Sequence, residues 1–341
     1  MLHNTNPVFN LPDSVQLSEA IKKVPMVVAM TTFLDETSAL ADIILPTDTY
    51  LEAWGDDQPQ PGVGFPIASI TQPVVHRVFD TRSAGDIILA LARQIGGELP
   101  AAMHWTTMQD YLKDRWRELY AGKQADGSDT GFDQFWHDVL KAGVWGEKVA
   151  AGEKSRADMS AAMLAAVKTP ETEFSGDQAS YEFAFHPYLS TAFGDGRGAN
   201  LPWMQEMPDP LTSIVYNSWV ELNPVTAANM GISEGDVLSI ESSVGKIEAA
   251  AFLYNGIRPD VCAMPIGQGH TAFGRYAADR GVNPIKILAS ATDPVSGELA
   301  TGNTRVKLTK TGNRVPLIKT DGTTRTLGRK NILSGASGGH G

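Results

Sequence analysis

Short apolar segments alternate with polar punctuation along most of the chain, and the period of that alternation changes from one stretch to the next. Residues 24–55 read as one α/β unit. VPMVVAM is an apolar, β-branched run of the kind that forms a strand buried on both faces, DETSALAD predicts a short helix opened by acidic residues, and IILP supplies a second strand. Before this unit, Leu2–Phe9 runs almost at once into NTNP, as though the strand that should precede that turn were cut away. Glu52–Pro66, rich in Gly, Pro and acid, is too broken for a regular element. Ile87, Ile88, Leu91 and Ile95 then recur with a helical period, which sets Asp86 near a helix N-terminus. Residues 1–100 thus read as a partial α/β domain.

The pattern turns helical over residues 101–170. Trp105, Tyr111, Trp116, Tyr120, Phe132, Phe135 and Trp136 recur at spacings near three and four, Gly122–Gly131 is a polar loop, and AGEKSRADMSAAMLAAV is a further amphipathic segment. This is a helical insertion whose aromatic stripe reads as core packing, or as a substrate-access wall. Residues 171–212 read as a connecting segment, with a strand-like YEFAFHPY and a tight GDGRG loop centred on Arg197. His186 there is either a hydrogen-bonded core histidine or a ligand. Over 213–309 the period becomes that of an all-β domain: SWVELNP, a short helix VTAANM closed by Gly231, a strand pair from GISEGDVLSIES, then GKIEAAAFLY, IRPDVCAMPI and Thr304–Thr309. Residues 310–341, ending in SGASGGHG, read as an unpacked tail.

Polar side chains concentrate in two places. Gly267–Pro284 (GQGHTAFGRYAADRGVNP) crowds glycines, a His, two Arg and an Asn directly after an apolar strand, the composition of a ligand-holding loop on a rigid scaffold. The second place is the row of strand ends in the α/β unit, where Thr31-Thr32, Thr47-Asp48 and Asn6-Pro7 fall; such units bind ligands beyond the carboxyl ends of their strands. Each Thr or Asn taken singly is equally a cap or turn former. Asp86 is helix-start chemistry, or a carboxylate able to accept from a guanine edge.

Composition narrows the chemistry. With 341 residues and 42% hydrophobic content the chain can bury a core in each of two domains. Acidic residues outnumber basic ones 39 to 28, a net charge of −11 that disfavours nucleic acid as a partner. Cys262 is the single cysteine, so this chain cannot hold an iron–sulfur cluster, a Cys-based zinc site or an internal disulfide, and it reads as a small core residue. The seven histidines show no paired spacing for a metal, and GxSxG, HExxH, Walker A, CxxC and GxGxxG are all absent. No apolar run is long enough to cross a membrane, and Met1–Pro7 has no signal-peptide character. A metal-free binding module fits better than a self-contained enzyme.

The pattern NTNP, a strand, DETSALADIILP and Glu52-x-x-Gly55 resembles the third domain of the catalytic subunits of the molybdopterin oxidoreductases, the dimethyl sulfoxide reductase family. LNPVTAANMGISEGDVLSIESSVGKIEAAAFLYNGIRPDVCAMP, followed by GVNPIKIL and DPVSG, is similar to that family's C-terminal molybdopterin-dinucleotide-binding domain, a double-psi β-barrel. The two cover roughly residues 2–309 in the family's order, and GRGANLPWMQEMPDP with GQGHTAFGRYA resembles the branch of polysulfide-type reductases and alternative complex III or menaquinone reductase subunits.

The resemblance implies a molybdenum or tungsten bis-molybdopterin guanine dinucleotide cofactor. Asn6, Thr31, Thr32 and Asp86 fall on positions that approach its guanosine diphosphate arm, and Gln268, His270 and Asn283 on positions that face the pterin. Amide and hydroxyl groups suit such neutral heterocycle edges. The family's N-terminal cysteine cluster and metal ligand have no counterpart in these residues. The resemblance therefore implies partners: an N-terminal half or companion subunit with the iron–sulfur cluster, and iron–sulfur electron-transfer and membrane quinone subunits on the periplasmic side. It also implies that this chain alone is inactive. In the alternative complex III branch the corresponding subunit keeps the fold without molybdenum, so a cofactor-free structural subunit of a quinone-linked respiratory complex is the second reading.

Overall fold

The computed structural model describes residues 1–59, 64–121, 131–146, 173–294 and 296–320. The chain divides into two compact units, one made of Met1–Asn4, Val28–Thr32 and Ile43–Thr169, the other of Thr5–Val27, Phe33–Asp42 and Pro170–Gly341. Segments 5–27 and 33–42 therefore belong to the second unit, although their position in the sequence groups them with the first 100 residues.

In the first unit β1 (Leu2–His3), β2 (Val28–Thr31) and β3 (Ile43–Pro46) form a parallel sheet in that order. A strand does precede the NTNP turn: β1 pairs Leu2 with Ala29, and the Asn4 N–H donates to the Met30 carbonyl at 3.0 Å. β2 buries Ala29 and Met30 as its apolar run predicts, whereas Ile43 and Ile44 of β3 stay exposed because β3 is an edge strand of this sheet. A second, antiparallel sheet joins β4 (Gly55–Asp57), β5 (Ile67–Thr71) and β6 (Val144–Gly146). β4 is a short regular element inside the stretch expected to have none; its Asp56 carboxylate accepts from the Trp116 indole at 3.3 Å.

Helices Met108–Ala121 and Phe132–Ala142 bring Trp116, Phe132, Trp136 and Val139 down onto Ala68 and Ile70. Trp116, Phe132 and Trp136 with Tyr120 and Phe135 against them are core, as the spacing suggested, while Trp105 and Tyr111 stay half-exposed outside that cluster, and Gly143 ends the second helix in the left-handed region with its N–H on the Val139 carbonyl. The amphipathic segment AGEKSRADMSAAMLAAV lies outside the described residues.

The second unit is built on a closed six-stranded barrel. Its strands are β7 (Phe183–Leu189), β8 (Trp219–Leu222), β9 (Asp236–Glu241), β10 (Lys246–Leu253), β11 (Val261–Ile266) and β12 (Arg305–Arg314), in the order β10-β8-β11-β7-β12-β9 with β9 returning to β10. β8/β10 and β7/β11 pair in parallel and the remaining neighbours antiparallel. Alternation fills the interior: Phe183 and Phe185, Leu238 and Ile240, Cys262 and Met264, and Val306 and Leu308 all point inward.

The barrel reaches beyond 213–309 at both ends. β7 comes from the span assigned to a connecting segment; it pairs with β11 at Cys262↔Phe185 and turns Phe183 and Phe185 into the core. β12 runs on to Arg314, and the Val215 N–H donates to the Ile318 carbonyl at 2.9 Å, so residues 310–320 are part of the fold and not tail. Residues 321–341 lie outside the described residues. Among the described residues no helix is long and apolar enough to cross a membrane.

The loop 267–284 leaves β11 through Gly267 and Gly269, both at positive φ. Its two arms close on each other, the Gly269 N–H donating to Arg280 O at 2.7 Å and the Asp279 N–H to His270 O at 2.8 Å. A Cβ at Gly269 would overlap the backbone of Val282 and Asn283, whereas one at Gly297, also at positive φ, meets nothing. Gly269→Ala is expected to cost about 3 kcal/mol or more and Gly297→Ala about 1 kcal/mol in urea unfolding. Equal costs for the two would show that the loop arms are not held as described.

Candidate functional site

Four of the polar residues singled out from the sequence lie in the second unit, and the structure binds two of them into one network centred on a residue the sequence reading passed over, Glu36. Asp35 and Glu36 open the segment DETSALAD, which forms only a 3-10 turn, Ser38–Leu40. One acid is enough to start it. The Asp35 carboxylate accepts from the Ser38 N–H at 2.7 Å while the Ser38 hydroxyl accepts from the Asp35 N–H at 2.7 Å, a reciprocal cap. Glu36 is left free to turn to the loop after β11. The one signal for it in the sequence was redundancy, two acids where a single cap was needed.

The Glu36 carboxylate accepts from Asn6 Nδ2 at 2.7 Å, from the Thr271 N–H at 2.6 Å and the Ala272 N–H at 3.2 Å, and from His270 Nδ1, which stands 3.2 Å from each of its oxygens. His270 Nε2 lies 3.1 Å from the Gly196 carbonyl. Both ring nitrogens thus face oxygen atoms able to accept. The ring stacks on Phe9 with centroids 3.7 Å apart and planes 6° from parallel, and Phe273 leans on it at 4.9 Å. Gly196 is required here, since any Cβ would run into Phe9 and His270. Asn6 Oδ1 accepts from the Thr37 N–H and hydroxyl, so its amide group is held with Nδ2 towards Glu36.

The side chains of His270 and Glu36 are only 2% and 9% exposed. Burial pushes the Glu36 carboxyl up, but the hydrogen bonds from His270 and Asn6 and the charge of His270 outweigh it and hold the group at about 2, against an ordinary 4.5.

The other two loop residues are equally engaged. Gln268 and Gln205 exchange amide hydrogen bonds at 2.9 and 3.4 Å, both side chains buried. Asn283 Oδ1 caps the 3-10 turn Pro284–Ile287 through the Ile285 N–H at 3.0 Å, and its Nδ2 donates to the Phe9 carbonyl at 2.7 Å. His186 is exposed on β7, so it is not a core histidine. Arg197 turns back onto Asp195 in a two-pronged ion pair at 2.9 and 2.8 Å.

The first unit holds Thr31, Thr32 and Asp86. Thr31 ends β2, and its carbonyl accepts from the Thr47 N–H at 3.1 Å; the hydroxyls of Thr32 and Thr47 are 3.3 Å apart. Asp86 lies three residues after the N-cap Ser83, whose hydroxyl accepts from the Asp86 N–H at 3.0 Å. Its Oδ1 accepts from the Met108 N–H at 2.7 Å, tying the start of helix Ala84–Ile95 to that of Met108–Ala121, and its Oδ2 stands 3.7 Å from Arg77 Nη2. Arg77 itself grips the buried Asp48 carboxylate at 2.9 and 2.6 Å.

Comparison with known proteins places this geometry. The model of the molybdopterin oxidoreductase domain matches residues 1–94, and that of the molydopterin dinucleotide binding domain matches residues 202–304. The chain belongs to the molybdopterin oxidoreductase family. It is 30% identical over 297 residues to the menaquinone reductase molybdopterin-binding-like subunit of Nitratidesulfovibrio vulgaris, an alignment covering 87% of this chain and 39% of that one. It is 28% identical over 374 residues to the arsenate respiratory reductase molybdopterin-containing subunit of Shewanella sp., with 89% of this chain and 43% of that one covered. Acetylene hydratase from Pelobacter acetylenicus shares the fold, with a TM-score of 0.60 at 15% identity over 90% of this chain and 43% of that one. The chain spans less than half the length of these relatives.

Membership implies a molybdopterin cofactor, and the donor sets can be tested for it. In the barrel unit they do not fit as they stand: the hydrogen-bonding groups of Asn6, Gln268, His270 and Asn283 are turned onto protein partners. None of the four supplies an orphaned buried atom; those among the described residues are on Asn10, Thr81 and Asn303. In the first unit Asp86 does fit an edge of N–H donors, because one carboxylate oxygen has no partner closer than 3.7 Å and the side chain is 26% exposed. Among the described residues no cluster of three His, Cys, Asp or Glu could hold a metal ion.

The depressed Glu36 carboxyl carries a pH signature. Unfolded, it binds a proton near pH 4.5; folded, it does so only near 2, so its stabilisation is complete above about 4.5 and is lost as pH falls towards 2. Roughly 2 kcal/mol should be gone by pH 3 out of about 3 kcal/mol in all. Urea unfolding at pH 6 and pH 3 is expected to show a markedly smaller pH dependence for Glu36→Gln than for the wild type. Parallel curves would mean that Glu36 is not held as the anion.

Proposed function

We propose that this chain is the cofactor-holding portion of a molybdopterin-dependent oxidoreductase subunit, its barrel of double-psi type, and that it grips a molybdopterin guanine dinucleotide for two-electron redox chemistry completed by the rest of the protein. The observation that carries this reading is the pairing of an α/β segment bearing Asp86 with a closed barrel, matched by both domain models in the family's own order. The alternation of parallel β8/β10 and β7/β11 pairs around the closed barrel supports the double-psi reading. Asp86, with Thr31 and Thr32 at the end of β2, would accept from the guanine end of the dinucleotide. When bound, the molybdenum or tungsten centre supplies the redox step; this chain's residues bind and orient the group that carries it. The remainder of the subunit, with its metal ligand and iron–sulfur cluster, and membrane quinone subunits are the partners this reading requires, on the periplasmic side of a membrane.

A specific observation favours a second reading. Asn6, Gln268, His270 and Asn283 are sealed onto Glu36, Gln205 and backbone groups, the arrangement expected of a subunit that has kept the fold as a structural component of a quinone-linked complex. One preparation separates the two. Co-expressed with the rest of its subunit, the chain is expected to yield pterin fluorescence after oxidation together with molybdenum or tungsten; protein with neither would decide for the structural subunit. In the loaded protein Asp86→Asn should lower pterin and releasable GMP by about tenfold, the worth of a charge-assisted hydrogen bond. Expressed alone, the chain should give no turnover with redox dyes, and measurable turnover would overturn that division of labour.

A further inference from the structure

Glu36 meets a donor set that has the chemistry of an anion site. Two consecutive backbone N–H groups, Thr271 and Ala272, an amide Nδ2 from Asn6 and the imidazole Nδ1 of His270 converge on its one carboxylate. Such nests of successive N–H groups with a nearby cation are how proteins hold oxyanions. Here the anion is part of the chain. We propose that these four donors form an oxyanion site that the chain's own Glu36 occupies, and that a phosphate-type oxyanion can take its place.

Three further observations support the exchange. Most of the donors are aimed by contacts that do not involve Glu36. The His270 ring is fixed by the Gly196 carbonyl and the Phe9 stack, and Thr271 and Ala272 follow the closed turn in which Gly269 and Asp279 bond across the loop. Removing the carboxylate therefore leaves the aiming contacts of these three residues in place. The site also has access: a cleft of about 300 Å³ is lined by Phe9, Glu36, Gly269, Thr271 and Ala272, with Lys286 on its wall. Asp13 lines the same cleft, so a second anion beside a seated Glu36 would meet two carboxylates, and replacement is favoured over addition. Finally, Glu36 sits on the segment 33–42, whose regular structure is a single 3-10 turn pinned by Asp35 and Ser38, so the carboxylate can leave while its anchor stays. A ligand without acceptor oxygens would leave the Thr271 and Ala272 N–H groups and Asn6 Nδ2 without their partner, a costly state. The depressed Glu36 carboxyl shows the site's preference for negative charge. This inference stands apart from the proposed function, since it concerns inorganic phosphate and needs no pterin.

The test uses the full chain with Glu36→Ala and Glu36→Gln, inorganic phosphate and acetate as probes, and ionic strength held constant with chloride. Glu36→Ala is expected to melt below the wild type in chloride and to gain roughly 2–4 °C in phosphate at about tenfold over Kd, with the wild type, where phosphate must first displace Glu36, and Glu36→Gln, which keeps a neutral occupant, each moved less. Adding His270→Ala to Glu36→Ala should abolish the phosphate response. A folded Glu36→Ala protein with no phosphate-dependent shift and no phosphate retained in equilibrium dialysis would overturn the proposal. So would a larger response to acetate than to phosphate, which would make the site a carboxylate socket only. Should Glu36→Ala not fold in chloride, refolding from urea decides: recovery in phosphate alone supports the site, and failure in both buffers counts against it.

Discussion

A buried carboxylate must be met on every side or it destabilises what buries it, and in the barrel unit that demand falls on Glu36. Its four donors come from two distant places in the chain, Asn6 and the consecutive His270, Thr271 and Ala272, and behind them stand Phe9, Gly196 and Thr37. The glycine at 196 and the closed turn at 269 follow from it, one leaving room for the stacked rings and the other aiming two N–H groups at a single point. The loop after β11 is thus held to the segment 33–42 by charge and hydrogen bonding more than by apolar contact.

Much of the architecture was legible because it repeats a local rule. The period-two runs of β9 to β12, the Asn223-Pro224 helix start and the Gly231 stop are each decided by neighbours in sequence, and the structure returns them nearly in place. The aromatic stripe was legible for the same reason. β7 was recognised as strand-like but not as a barrel wall, because its partners β11 and β12 lie some 80 and 120 positions later. β3 was read as a strand and is one, but the exposure of its Ile43 and Ile44 depends on what packs against that edge strand, which no local pattern encodes.

The site was legible in its members and not in its wiring. Asn6, Gln268, His270 and Asn283 were picked out by residue type and by a glycine-rich loop, and the structure sets them in one unit, the last three buried and Asn6 half-buried. Asn283 bonds backbone groups alone, whereas the wiring of the other three depends on Glu36 and Gln205, the first of which already had an ordinary explanation as a helix start. Residue type states what a side chain can bond. Only the fold states what it already bonds, and that distinction separates a family member that grips its cofactor from one that has kept the shape of the grip.

The single thiol of the chain, Cys262, faces the barrel interior with no exposed surface, and burial pushes its proton affinity up. It is therefore silent towards alkylating reagents while the barrel is shut, because the reactive species is the thiolate and neither solvent nor base reaches it. With one cysteine in the whole sequence, the rate at which a maleimide or a disulfide reagent modifies this protein follows the exposure of a single buried site. The fold carries its own reporter of opening, readable without a substitution.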